Sequence, residues 1–447
     1  MLNSRVEMSL TNQGRGSNYS CARCRIVLGG MGGAGSRVRT ELRSTRDGVM
    51  IVRVGTAAGE PGLGGEVRAR SLKRYGSDAG DAARKGGVSV LKGECMTKRE
   101  RVLRALEFRE VDRVPLYDIV DSNALREHFG GGRITEENAW RQEYAAVRAL
   151  CDATRMLCVP EYHPHRSEDE DGFVRCHDVE TTWIEKRPFS DVDGYRAWAL
   201  RDIERARRWW PDAAYVAEYH AGMRRHREGL GDDTVVLVES DCGLEEPRDK
   251  GGLELFTYLC QDEPELVREW ITVLNEKEIR RAKAIADPEI APVMLVYTDI
   301  ACKSGPLHSP DWLRREFFPL VRRLVEVYHE RGVKCVYHSD GNLNPVMEDL
   351  VATGIDGINP LEKLAGMSIT DVRARFPRLA IAGGIDVSQL LTLGTPFEVR
   401  EECRKAIEAT KGVGYLMGST TELLPGVKVE NVLAMRECAL ATARVPQ

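Results

Sequence analysis

From residue 96 onward, short apolar runs rich in β-branched residues alternate with stretches whose apolar residues recur every three or four positions. The runs are 114–118, 154–159, 234–240, 293–299, 333–340, 355–361, 379–386 and 414–420. Their continuous apolar character suits strands buried on both faces, as in a parallel sheet. The stretches between them read as amphipathic helices, plainest at 312–328, 345–352 and 397–409. Eight such units predict an α/β fold, a (β/α)8 TIM barrel over residues 96–447. Two short runs, 171–175 and 182–185, predict a hairpin inserted after the second strand, where loops commonly cover an active site. Thr97, with Glu100 three residues on and Val102, Leu103 and Leu106 behind it, predicts the N-cap of a first helix.

Residues 1–95 follow no such pattern. They hold 16 basic against 8 acidic residues and 18 of the 42 glycines, with only Tyr19 and Tyr75 as aromatics. Such a segment buries too little apolar surface to offset its ordering entropy, so the expectation is a disordered basic extension. Met96 begins a text that reads like a natural start, and residues 1–95 then read as a translated upstream region. Two motifs there are read as chance. The Gly30–Gly35 stretch matches G-x-G-x-x-G, but no amphipathic helix opens after it to face a pyrophosphate. Cys21 and Cys24 form one C-x-x-C pair with no second pair nearby for zinc.

The remaining 352 residues carry 48 basic against 61 acidic residues, which gives no reason to expect a nucleic-acid partner. No run approaches the roughly 18 apolar residues of a membrane span, so no membrane is expected. There is no secretory h-region, and nine cysteines are scattered singly after residue 150, which reads as reduced thiols in a cytoplasmic protein.

Barrel chemistry sits at the C-terminal ends of the strands, and polar residues gather there. Strand one ends at Asp118 and Asp121, and strand three at Glu239, Ser240 and Asp241. Strand four ends at Asp299, with Cys302 in the following loop. Strand five ends at Tyr337, His338, Ser339 and Asp340, strand seven at Asp386, and strand eight at Ser419 and Glu422. Helix capping explains Ser240 and Ser419. It does not explain His338, which shares its side of the strand with Asp340 by period-two alternation. His338, Asp340, Asp299 and Asp118 are therefore the catalytic candidates. Glu239, Asp386, Asp121 and Tyr337 are the substrate-binding candidates, and His338, Asp340 and Glu239 the metal-ligand candidates.

Residues 96–447 resemble the uroporphyrinogen decarboxylase superfamily, which includes cobalamin-dependent methyltransferases. The matching pieces are R-x-x-x-A-L and D-R-V-P within 96–115, 255–270 with Glu263-Pro264-Glu265, 305–319, His338-Ser339-Asp340-Gly341-Asn342, 354–360, Gly383-Gly384-Ile385-Asp386, Gly394-Thr395-Pro396 and Glu430-Asn431. The resemblance implies a (β/α)8 barrel. Its decarboxylases carry M-R-Q-A-G-R after the first strand to bind a polycarboxylate. This chain reads Leu116-Tyr117-Asp118-Ile119-Val120-Asp121 there, and acids repel such a substrate. Their G-F-x-x-x-P-[FYW]-T motif is replaced by 239–247. Its methyltransferases hold zinc through H-x-C after strand five and a cysteine near strand eight. Here His338 matches, but Asp340 and Ser419 stand at the cysteine positions, with Cys242 and Cys302 as other sources of sulfur.

The leading expectation is thus a methyltransferase moving a methyl group between a small substrate and a corrinoid protein partner, with zinc or a harder metal. The alternative is a metal-independent decarboxylase of uroporphyrinogen or a related acid, in which Asp118 or Asp121 steadies a pyrrolic cation. A ligand-binding barrel without catalysis is the third.

Overall fold

The computed structural model describes residues 6–7, 25–26, 38–44, 50–56 and 96–443, apart from 180 and 232. The chain divides into two units, 1–90 and 91–447. In the first, Val38–Ser44 pairs antiparallel with Met50–Thr56, and Val6–Glu7 with Arg25–Ile26. The β-branched content of both longer segments favours extended backbone. The G-x-G-x-x-G stretch and the C-x-x-C pair lie outside the described residues.

The second unit is the barrel. Six strands form one parallel sheet in the order Val238–Asp241, Val293–Tyr297, Lys334–His338, Gly357–Asn359, Ala380–Ala382 and Tyr415–Leu416. The second barrel strand, Ala153–Thr154, pairs with Val235–Val236, which leads through Leu237 into Val238–Asp241. The first strand contributes single parallel bridges, Leu116 to Met417 and Tyr117 to Ala153. Pairing therefore runs through all eight positions of the (β/α)8 fold.

Two apolar layers follow from the pleat. Val293, Leu295, Val336, Ala380, Ala382 and Leu416 pack inside the barrel with Tyr117 and Leu237. Their neighbours Met294, Val296, Cys335, Tyr337 and Ile381 face the surrounding helices. The helix Lys98–Leu106 plugs the N-terminal end with Val102, Ala105 and Leu106. Thr97 caps it, its hydroxyl accepting from the Glu100 amide at 3.0 Å as expected.

The plug is pinned by charge. Asp152, 1% exposed, accepts from Arg101 Nη1 and from both terminal nitrogens of Arg113, each at 2.7 Å, and from the Leu116 amide at 2.7 Å. One carboxylate thus ties the plug helix to the first and second strands.

Two sequence boundaries need correction. The second strand ends at Thr154, not at 159. The apolar run 156–159 instead leaves the barrel, and the Cys158 carbonyl covers the buried Arg126. The expected hairpin is a three-stranded antiparallel sheet, His165–Glu168, Val174–His177 and Thr182–Lys186. Its anchor, Phe173, is buried edge-on against Trp198 of the following helix, Val192–Arg208. Among the described residues no helix is long and apolar enough to cross a membrane.

Removing one partner of a buried ion cluster leaves the others uncompensated. Asp152→Ala should lower the unfolding free energy by about 3–5 kcal/mol, read from the denaturant midpoint. An unchanged midpoint would show that the clasp does not hold the plug.

Candidate functional site

Three neighbouring strands end at one level. In the sheet register Tyr297 lies beside His338, and His338 beside Asn359. All three continue the inward-facing alternation of Leu295, Val336 and Gly357, so the barrel filling changes there from apolar to polar. The His338 ring is 3% exposed and stacks on Tyr297, centroids 5.2 Å apart. Its Nδ1 lies 2.8 Å from Asn359 Oδ1. The orientation of that amide follows from its other end, where Nδ2 donates to the Ala382 carbonyl at 3.1 Å. Nδ1 therefore carries the proton, and the lone pair is on Nε2.

Nε2 faces Asp299 Oδ1 at 3.8 Å. Asp340 completes the group, and one ligand atom from each of Asp299, His338 and Asp340 lies within 4.8 Å of the others. The Asp340 amide donates to Asp299 Oδ1 at 3.0 Å, while its own Oδ1 is buried with no hydrogen-bond partner. The loop carrying Asp299 is held from the third strand's side: the Asp299 amide donates to Glu245 Oε2 at 2.9 Å, and Arg248 donates to the Asp299 carbonyl. Burial holds the His338 imidazole down at about 3, helped by the charge of Arg155 and opposed by the Asn359 hydrogen bond. Burial, with Asp299 and Glu362 close by, pushes the Asp340 carboxyl up to about 7. A cavity of about 650 Å³ opens above Tyr297, between Trp183 and Ile184 of the inserted sheet and Asp241, Glu245 and Asp249 of the mouth.

The structure thus joins three of the four catalytic candidates. Asp118 is elsewhere. Its Oδ2 accepts from the Ser419 amide at 2.9 Å, and its Oδ1 from the Ser419 hydroxyl at 2.7 Å and the Ile119 amide at 3.1 Å. It clasps the first strand to the eighth, and that clasp also takes Ser419 away from the metal position the resemblance suggested. Asp121 accepts from the buried Arg126 at 3.2 Å. Asp386 is a helix cap, accepting from the Gln389 and Leu390 amides at 2.8 Å. Tyr337 points outward, its hydroxyl donating to the Thr298 carbonyl at 2.9 Å. Glu239 stands outside the Asp299–His338–Asp340 group and faces Arg155 Nη1 at 3.9 Å. Cys242 is buried and Cys302 exposed, and neither joins the group.

Sequence reasoning missed Tyr297, Asn359 and Arg155. Asn359 was open to discovery as the end of the sixth strand, two residues past the inward Gly357. Arg155 was hidden by the misplaced end of the second strand.

Residues 246–441, which contain the whole group, match the family model for uroporphyrinogen decarboxylase (URO-D). Over those residues the barrel is similar to the uroporphyrinogen decarboxylase family. The superfamily resemblance read from the sequence is thus upheld. Among solved structures, a methyltransferase from Methanosarcina mazei is similar over 77% of this chain and 99% of its own, at 17% identity and a TM-score of 0.58. That likeness concerns the fold. A B12-independent methionine synthase from Shewanella sp. W3-18-1 aligns over 74% of this chain and 96% of its own, at 13% identity and a TM-score of 0.35, too low to carry an argument. No curated protein matches the chain by sequence.

The Asp118 clasp predicts a pH dependence. Burial pushes its carboxyl up to about 7, against the hydrogen bonds from Ser419 and Ile119. From the ordinary carboxylate range up to that value, the folded chain keeps a proton that the unfolded chain has released. Its stability therefore falls with rising pH across that window and levels off above it. Asp118→Asn should remove this slope, so that its melting temperature gains on the parent's from about pH 4 to about pH 7. Parallel melting curves would show that Asp118 titrates alike in both states.

Proposed function

We propose that this chain is a metal-assisted methyltransferase of the uroporphyrinogen decarboxylase superfamily, moving a methyl group between a small substrate and a corrinoid-bearing protein. The observation that carries the reading is the Asp299–His338–Asp340 group at the barrel mouth, with the imidazole tautomer set by Asn359. One imidazole nitrogen and two carboxylates form a donor set for a divalent ion such as zinc, or a harder one. The buried, unpartnered Oδ1 of Asp340 fits that use. When bound, such an ion supplies positive charge that lowers the pKa of a substrate hydroxyl or thiol.

The protein's own groups do the rest. Asn359 holds the ring of His338, in the manner of outer partners that orient metal-binding histidines. Tyr297 covers one face of that ring. Glu245 and Arg248 fix the loop that presents Asp299. The cavity beneath the inserted sheet is lined by Tyr297 and Glu245, which touch His338 and Asp299, and gives a small substrate room. The decarboxylase alternative is not taken up, because Asp118 and Asp121 are engaged by Ser419 and Arg126.

The test is metal content by plasma mass spectrometry, with methyl transfer assayed using methylcobalamin as the carrier and a panel of small alcohols and thiols. About one divalent ion per chain is expected, lost in His338→Ala and Asp340→Ala with turnover abolished. Asn359→Ala should retain the ligands but weaken zinc binding by about 10–100-fold. A protein that stays metal-free with added zinc, or a His338→Ala variant with normal turnover, would refute the reading.

A further inference from the structure

Arg155 is the first residue beyond the second barrel strand, and its side chain is only 11% exposed. Its contacts are loose. Nη2 lies 3.5 Å from Glu422 Oε2, and Nη1 lies 3.9 Å from Glu239 Oε1. Nε and Nη1 are buried and make no hydrogen bond. Buried arginines with a structural task behave differently in this protein: Arg101 meets Asp152 at 2.7 Å, and Arg126 meets Glu143 at 2.8 Å. A guanidinium does not shed its proton, and buried donors are as a rule paired. Arg155 also lies close enough for its charge to act on Tyr117, Tyr297, His338 and Asp340. Ala153, two residues before it, packs inside the barrel, so Arg155 continues the inward face towards the polar top.

We propose that Arg155 anchors one carboxylate of the substrate, so that the small molecule handled at this mouth is a monocarboxylate. The proposal rests on the reading of this mouth as the reaction site. A carboxylate accepts two N–H bonds from one guanidinium edge, and on the Nη1–Nη2 edge Nη1 has no hydrogen-bond partner while Nη2 has only its long contact to Glu422. Glu239 and Glu422 flank Arg155 and disfavour a second anionic group beside it. Held at Arg155, the substrate extends its reacting end towards His338, Asp299 and Asp340.

The experiment uses the full-length, zinc-loaded protein and calorimetric titration with methoxyacetate, benzoate and lactate, each against its neutral amide. Tetramethylammonium serves as the cationic probe. At least one monocarboxylate should bind roughly tenfold more tightly than its amide, the size expected of hydrogen bonds to a charged group. Arg155→Gln should erase that preference, and Arg155→Lys should keep part of it, both melting near the parent. The carboxylate–amide comparison on the parent stands alone if Arg155→Gln does not fold. No preference for any carboxylate would overturn the proposal. So would a preference that survives in Arg155→Gln, or tighter binding of tetramethylammonium, which would make Glu239 and Glu422 a cation site. Binding is read without methyl transfer. A carboxylate preference retained in a protein that transfers no methyl group would refute the proposed reaction alone.

Discussion

The two-residue repeat of the strands is the constraint from which the rest follows. A parallel barrel buries both faces of each strand, so every residue is committed either to the interior or to the layer beneath the helices. Val293 and Leu295, or Val336, fill the inside, while Met294, Val296, Cys335 and Tyr337 fill the outside. One further step along the same face yields Tyr297, His338 and Asn359 on three adjacent strands. The site is thus the third storey of the barrel's own filling. A one-residue slip in the fifth strand would send His338 outward and Tyr337 inward.

Burial then sets the chemistry. The imidazole of His338 is kept neutral chiefly because water is excluded, and the Asp340 carboxyl is raised for the same reason. Glu239 and Glu422 are also pushed up by burial, with Arg155 pulling the other way. A mouth rich in carboxylates around one neutral imidazole attracts cations. This charge arrangement differs from that needed by a substrate with many carboxylates.

Acids recur at the ends of the strands, but they do unlike work. Asp118 clasps the first strand to the eighth, Asp386 caps a helix, Asp121 serves Arg126, and only Asp299 and Asp340 meet His338. In the sequence these residues look alike, because a strand end, a cap and a ligand all favour a short carboxylate. His338 stood apart because neither capping nor solvation accounts for an imidazole at the end of an apolar strand. Arg155 escaped notice because the apolar run after it resembles the continuation of a strand.

The sequence by itself determined the eight repeating units, the capped first helix, an inserted hairpin and the placing of His338 and Asp340 on one side of a strand end. Each of these depends on a period or a spacing within a few residues. Only the tertiary structure decided that Asn359 fixes the imidazole, that Asp299 and not Glu239 completes the group, and that Arg155 faces it. Those residues stand 21 to 185 positions apart in the chain. They arise from barrel closure and strand register, which bring distant strand ends to one level and which no local pattern specifies.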